Sequence, residues 1–215
     1  MMLELGVKSL IAYLLGALLG SLIVGRLRGV DIRRLGSGNA GATNALRTQG
    51  KLFGLVVLLI DLGKGVIAVL WLPTAALPYV PVDPDLSRQW LTMACGLAVI
   101  LGHVYPVWYG FRGGKGVATM VGVVGAVQPR LLLPLLCSWL AVLLLTGYVG
   151  LASMLAGVAL VVFVYLLEPK DPPLLTFCLM IAVLVIFTHR GNIVRMRAGQ
   201  EHRVRKLWLF RSRAA

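Results

Sequence analysis

An all-helical integral membrane protein with seven transmembrane helices is the fold class that this sequence predicts, on three observations. Of its 215 residues, 59% are hydrophobic and 13% charged, against about 25% charged in a soluble domain. The apolar residues come in runs of about 15–22, long enough to cross a bilayer as a helix. Lys and Arg fall mostly in the loops on one side of those runs. This pattern predicts one compact bundle over residues 1–215, with no room for a second domain.

Span 1 is expected from Leu5 to Val24. Glu4 precedes Lys8, so no basic leader region opens it, and no A-x-A-like cleavage site follows, so the segment reads as a mature helix. A basic loop comes next, with Arg26, Arg28, Arg33, Arg34, Arg47 and Lys51. Span 2, Leu52 to Leu72, carries Asp61 and Lys64 one helical turn apart on one face. Charges within a span face a bundle interior or cavity. The pair reads either as a structural ion pair or as a lysine reaching toward a polar pocket with Asp61 orienting it.

Pro73 to Arg88 is a Pro-rich external loop, and span 3, Trp90 to Trp108, carries His103. After a short loop holding Arg112 and Lys115, span 4, Val117 to Gln128, is too short to cross unaided. Spans 5 and 6, Leu131 to Val149 and Leu151 to Leu167, are joined through Gly147 and Gly150. Span 7 runs from Leu174 to Thr188, and a strongly basic tail follows.

Six Lys and Arg after span 1, two after span 3 and eight in the tail place sixteen on one side, against four on the other. This puts the tail in the cytoplasm and the N-terminus outside. The net charge of +13 is thereby accounted for by topology and anionic headgroups rather than by nucleic acid. Arg203, Arg205, Lys206, Arg211 and Arg213 read as headgroup anchors. Cys95, Cys137 and Cys178 sit singly in apolar runs and predict buried, inert thiols, with neither a disulfide framework nor a zinc site.

Three polar stretches stand out, all on the predicted cytoplasmic side. The first is Gly36-Ser37-Gly38-Asn39-Ala40-Gly41-Ala42-Thr43-Asn44, followed by Arg47. Its glycines allow close backbone approach, its Ser, Thr and Asn add donors, and an adjacent guanidinium makes an anion site. The formal G-x-G-x-x-G at Gly36, Gly38 and Gly41 is not a dinucleotide fingerprint, because that needs a βαβ unit.

The second stretch is GHVYPVWYGFRGGKGVAT, from Gly102 to Thr119. Gly113 and Gly114 let the backbone wrap an anion and Lys115 adds a point charge. A helix starting near Gly116 would aim its N–H groups at the same anion. His103 reads either as a packing residue or as a substrate donor or proton carrier. The third stretch, HRGNIVRMRAGQE from His189 to Glu201, offers His189 and Asn192, an imidazole and an amide that headgroup anchoring does not need.

In their order and spacing between hydrophobic spans, the three stretches resemble the bacterial acyl-phosphate:glycerol-3-phosphate acyltransferase family of the PlsY type, over essentially the whole chain. The resemblance implies acyl transfer from a fatty acyl phosphate to the 1-hydroxyl of sn-glycerol 3-phosphate, giving lysophosphatidic acid (1-acyl-glycerol 3-phosphate) and phosphate in phospholipid synthesis. It implies a multi-pass protein of the bacterial cytoplasmic (inner) membrane, with its active site on the cytoplasmic face. Membrane lipids and the synthase that supplies the donor are the implied partners.

Carried onto this chain, the family's catalytic residues fall on Ser37, Asn39, His103, Lys115 and Asn192. Substrate-binding positions fall on Gly36, Gly38, Thr43, Asn44, Arg47, Lys64, Gly113, Gly114 and His189. Arg112 stands where many members have Lys, and Gly191 replaces a larger, often acidic residue.

The chemistry suits these residues. An acyl phosphate is already activated, so positioning and charge neutralisation are the main tasks. The base is left open between His103 and the donor's leaving phosphate. No metal or other cofactor is called for, since carboxylates and histidines do not cluster at ligand spacing. The His-x4-Asp pair of acyl-CoA-dependent acyltransferases is absent: the fifth residues after His103, His189 and His202 are Trp108, Val194 and Leu207. No Gly-x-Ser-x-Gly elbow is present, which favours direct attack over an acyl-enzyme. A transporter of phosphorylated solutes would show internal repeats, and none is found; a structural scaffold would leave the three stretches unexplained.

Overall fold

The structure is a computed structural model that describes residues 2–204 and 207–209. Arg205, Lys206, Arg211 and Arg213, predicted as headgroup anchors, lie outside the described residues. Contacts divide the chain into two compact units, the first ending at Gln128 and the second beginning at Pro129.

The first unit contains α1 (Met2–Gly16), α2 (Gly20–Leu27), α3 (Ala42–Gln49), α4 (Lys51–Leu70), α5 (Arg88–Val104) and α6 (Val117–Val127). Its helices touch through glycines. A Cβ on Gly16 would run into the Val99 carbonyl of α5, and one on Gly102 into the Tyr13 carbonyl of α1. Gly65 meets the Thr119 carbonyl of α6 in the same way, and Gly122 that of Leu62 in α4. In lipid, where apolar burial between helices gives no drive, such small residues let backbones approach closely enough for dispersion and weak C–H···O contacts to hold them.

At one end of this unit a buried clasp joins three segments. The Glu4 carboxylate accepts from Lys8 Nζ (2.8 Å), from Arg88 Nη1 (2.7 Å) and Nη2 (2.9 Å), and from the Asp83 amide (2.9 Å). Lys8 also donates to the Pro73 carbonyl at 3.0 Å. Every charge is thereby paired and hydrogen-bonded, the condition under which buried ions are tolerated.

The second unit contains α7 (Leu132–Thr146), α8 (Val149–Leu167), α9 (Pro172–Thr188) and α10 (Arg190–Arg197). Asp171 caps α9 by accepting from the Leu174 amide at 2.9 Å, and Pro172 occupies the first helical position, where its missing N–H costs nothing. Gly147, left-handed at φ 73°, ends α7 and allows the tight turn into α8. Arg203 does not behave as a free headgroup anchor. Its guanidinium stacks on the rings of Tyr148 and Trp208, at 4.6 and 4.4 Å from their centroids, and the Val204 amide bonds the Gly147 carbonyl at 2.8 Å.

Among the described residues, four helical segments are long and apolar enough to cross a membrane, and up to six if each bent pair counts as one span. The expected span 1 is the first such pair, α1 and α2, bent by 43° across Ala17–Leu19; α9 and α10 are the second, bent by 48°. The expected span 4 is α6, whose 11 residues rise only about 16 Å, roughly half the hydrocarbon core. Cys95 and Cys178 are buried as expected, but Cys137 is exposed: it falls on the outward face of α7, where apolar position in the sequence does not mean burial in the bundle.

Candidate functional site

The Gly-rich loop is tied from inside by Asn44 on the first turn of α3. Its Oδ1 accepts from the Ser37 amide at 3.0 Å. Its Nδ2 donates to the carbonyls of Leu35 (2.9 Å), Asn39 (3.0 Å) and Ile32 (3.2 Å). Gly36 and Gly38 are left-handed, with φ 57° and 72°, and a Cβ on Gly36 would strike Asn44 Oδ1. The Ala40 carbonyl accepts from Ser21 Oγ at 2.7 Å.

This knot changes two expectations. The buried amide of Asn44 is fully engaged with the loop backbone, so it shapes the loop instead of presenting a donor outward. The amides of Ser37 and Gly38 are likewise engaged, the latter with the Leu35 carbonyl at 3.0 Å. Among the loop's side-chain donors, Ser37, Thr43 and Arg47 are exposed, and Asn39 is half-buried.

The second loop folds back along the last turn of α5. The Gly113 amide bonds the Val104 carbonyl and the Gly114 amide the His103 carbonyl, each at 3.1 Å. A Cβ on Gly113 would collide with the His103 carbonyl, and one on Gly114 with His103 Nε2. These glycines thus act by permitting contact, with their N–H groups already used. Lys115 follows, half-buried, and Gly116 (φ 81°) leads into α6, whose N-terminus carries no side-chain cap.

The two loops meet at Tyr109, which packs against Leu19, Leu22 and Ala40. Its carbonyl accepts from Arg33 Nη1 at 3.1 Å. Asp31 braces that arginine, taking Nε at 3.0 Å and Nη2 at 2.9 Å. The hydrogen bonds from Arg33 hold the Asp31 carboxyl below the usual carboxylate range.

Beneath the loops is a buried cluster of Asp61, Lys64 and His103. The break between α1 and α2 frees the carbonyls of Gly16 and Leu18, and Lys64 Nζ donates to them at 2.8 and 3.1 Å. The same ammonium is 3.0 Å from Asp61 Oδ1 and 2.9 Å from His103 Nδ1. Asp61 Oδ1 also accepts from the Gly20 amide at 3.4 Å and lies 3.4 Å from His103 Nδ1, while Asp61 Oδ2 has no hydrogen-bond partner among the described residues. Asp61 and Lys64 are an ion pair, the first of the two sequence readings, and the buried lysine also lies against the His103 imidazole. Lys64 has three protons for these four acceptors; in the tautomer where His103 Nδ1 accepts one of them, the ring proton is on Nε2, the nitrogen that faces Gly114.

In the second unit, His189 ends α9 and is buried, its Nδ1 2.8 Å from the Val185 carbonyl. Asn192 Nδ2 donates to Glu201 Oε1 at 2.7 Å, and Arg195 Nε donates to the other carboxylate oxygen at 2.7 Å. A Cβ on Gly150 would sit 2.8 Å from Asn192 Nδ2, so α8 also closes on that amide. Three acids beyond the predicted site residues brace basic or amide side chains: Asp31 holds Arg33, Asp61 holds Lys64 and Glu201 holds Asn192. Each stands alone among basic or apolar neighbours, and that isolation was the available signal.

Comparison with known proteins identifies the family. The family model described as glycerol-3-phosphate acyltransferase matches residues 7–199. The glycerol-3-phosphate acyltransferase of Aquifex aeolicus is 41% identical over 192 residues, covering 89% of this chain and 95% of that protein. That of Geotalea daltonii is 44% identical over 191 residues, covering 89% and 93%. Among solved structures, the glycerol 3-phosphate form of PlsY (YgiH), an integral membrane glycerol 3-phosphate acyltransferase, superposes with TM-score 0.79 at 38% identity, covering 93% of this chain and 94% of that one. Its lysophosphatidic acid form gives TM-score 0.78.

Proposed function

This chain belongs to the glycerol-3-phosphate acyltransferase family, and we propose that its acyl donor is a fatty acyl phosphate and its acceptor the 1-hydroxyl of sn-glycerol 3-phosphate. It is a multi-pass membrane acyltransferase of phospholipid biosynthesis. The proposal adds a seven-span topology with the N-terminus outside, and a site at the cytoplasmic face of the bacterial inner membrane.

The observation that supports the donor reading is the burial of His103, with Nδ1 turned inward to Lys64 at 2.9 Å and Asp61 at 3.4 Å, in the tautomer that accepts from Lys64. A ring protonated at Nε2 can donate a hydrogen bond but cannot take the glycerol proton there. An acyl phosphate supplies its own acceptor. The hydroxyl oxygen attacks the acyl carbonyl carbon, the bond from that carbon to the phosphate oxygen breaks, and the hydroxyl proton leaves with the phosphate. The protein's part is to hold two anions and steady the charge. Ser37, Asn39, Thr43, Arg47 and Lys115 are the proposed phosphate and carbonyl ligands, with His103 Nε2 as a donor. Lys64, Asn44 and the four loop glycines shape the site. His189 and Asn192 carry over from the third motif, with Glu201 fixing the Asn192 amide.

Purified protein in detergent, given glycerol 3-phosphate with either palmitoyl phosphate or palmitoyl-CoA, tests this. Phosphate release and lysophosphatidic acid formation are expected with the first donor only, and equal turnover of both would defeat the proposal. In the same assay Lys115→Ala and Arg47→Ala should lower kcat/KM by roughly 30- to 1000-fold, the loss of about 2–4 kcal/mol of charge-assisted binding.

Single cysteines at Arg28, Asp85 and Lys170, in a background lacking Cys95, Cys137 and Cys178, test the topology. An impermeant thiol reagent should label the last two in intact cells, and Arg28 only after permeabilisation. Labelling of Arg28 alone in intact cells would invert the topology.

A further inference from the structure

The function described above leaves Asp31 and Arg33 unused. Both precede the Gly-rich loop and both are partly exposed, the side chains at 30% and 28%. Three guanidinium nitrogens of Arg33 already donate within the protein: Nε and Nη2 to the two oxygens of Asp31, and Nη1 to the Tyr109 carbonyl. The Arg33 amide donates to Asp31 Oδ1 as well, at 3.0 Å, so side chain and backbone fix the carboxylate together. A guanidinium clamped in this way serves as a strut, unlike the exposed Arg47.

The far end of the strut is 76 residues away in sequence. Tyr109 ends a short 3-10 turn, Val107–Tyr109. The two residues after it, Gly110 and Phe111, are both left-handed, at φ 64° and 59°. For Phe111 that conformation is a strained one, and its amide is held by the Pro106 carbonyl at 3.0 Å. From this turn the chain runs directly into Gly113, Gly114 and Lys115. Arg33, in turn, lies three residues before Gly36 and four before Ser37. Apolar packing of Tyr109 on Leu19, Leu22 and Ala40 brings the loops together without setting a direction. The Arg33 hydrogen bond is directional and sets it.

We propose that Arg33, braced by Asp31, is a positioning residue that ties the Lys115 loop to the Ser37 loop, so that groups holding the two substrates stand at a fixed separation. The proposal rests on transfer to glycerol 3-phosphate, and it is indifferent to the identity of the acyl donor. Loosening the strut leaves each loop its own ligands, so each substrate should still bind. What is lost is the alignment of hydroxyl and carbonyl, and a displacement of about 1 Å there can cost 100-fold in rate.

The test is steady-state kinetics of purified protein with whichever donor the wild type turns over, so that failure of the donor proposal appears in the wild type and failure of this one only in the variants. Arg33→Gln should lower kcat roughly 10- to 100-fold and leave KM for glycerol 3-phosphate and for the donor within about threefold, with thermal unfolding unchanged. Arg33→Lys should not restore kcat, because an ammonium cannot span both oxygens of Asp31 and the Tyr109 carbonyl. Asp31→Asn should give a smaller loss, and the double variant should be no slower than Arg33→Gln, since both changes break one element.

A rise of tenfold or more in either KM at unchanged kcat would make Arg33 a substrate ligand and overturn the proposal. Unchanged kinetics in Arg33→Gln would do the same. Should Arg33→Gln fail to fold, Asp31→Asn decides: a kcat loss that only follows the unfolded fraction would mark the pair as structural.

Discussion

Lys64→Met is expected to destabilise the protein by about 3–5 kcal/mol, the usual cost of leaving a buried charge without its partner. The substitution strands Asp61, whose residue is 0% exposed, and leaves the carbonyls of Gly16 and Leu18 facing a thioether. Thermal unfolding in detergent measures the loss. Asp61→Leu combined with Lys64→Met should recover much of the stability, because a well-packed apolar pair often replaces a buried ion pair at no net cost. It should not recover activity, since His103 Nδ1 then has no ammonium and the ring's tautomer is released. Lys64→Met melting with the wild type would show that the cluster does not stabilise the fold.

Gly114→Ala is expected to lower kcat by about 100-fold while the protein stays folded. The added methyl would occupy the place of His103 Nε2. The imidazole cannot swing aside without breaking its 2.9 Å contact with Lys64, so the loop carrying Lys115 has to move instead. Gly110→Ala is the control. Nothing lies within 4 Å of its Cβ, and its only penalty is the left-handed φ of 64°, worth about 1–2 kcal/mol of local strain. Equal kcat losses in the two variants would attribute both to backbone strain and not to His103.

Much of the fold can be read from hydropathy. The runs around α4, α5, α8 and α9 end within a few residues of the helices. The break after Gly16 cannot be read so, because Ala17, Leu18 and Leu19 are as apolar as a continuing helix would be. What stabilises the break is Lys64, 48 residues away from Gly16, and only packing reveals that pairing. The site divides in the same way. Glycines, amides and hydroxyls announce a polar loop, but the sequence cannot separate groups that face substrate from those that fold the loop. Asn44 and Thr43 are adjacent and chemically alike as donors, yet one is buried in the knot and the other exposed. The stacking of Arg203 is hidden for a related reason: a basic tail suggests headgroups, and the rings it stacks on are remote in sequence or beyond it in the tail.

The gap between α1 and α2 also bears on how the chain enters the bilayer. A helix carrying Lys and Asp near its middle inserts poorly on its own, each charge costing about 2.5–3.5 kcal/mol at the centre of a span. The α4 segment carries Asp61 and Lys64 there, besides Lys51 at its start. Once the preceding bent pair is in place, its unpaired carbonyls and the Gly20 amide await those two groups, and α4 can insert with its charges received on arrival. Integration of α4 is therefore expected to depend on the bent α1–α2 pair, which receives both of its central charges.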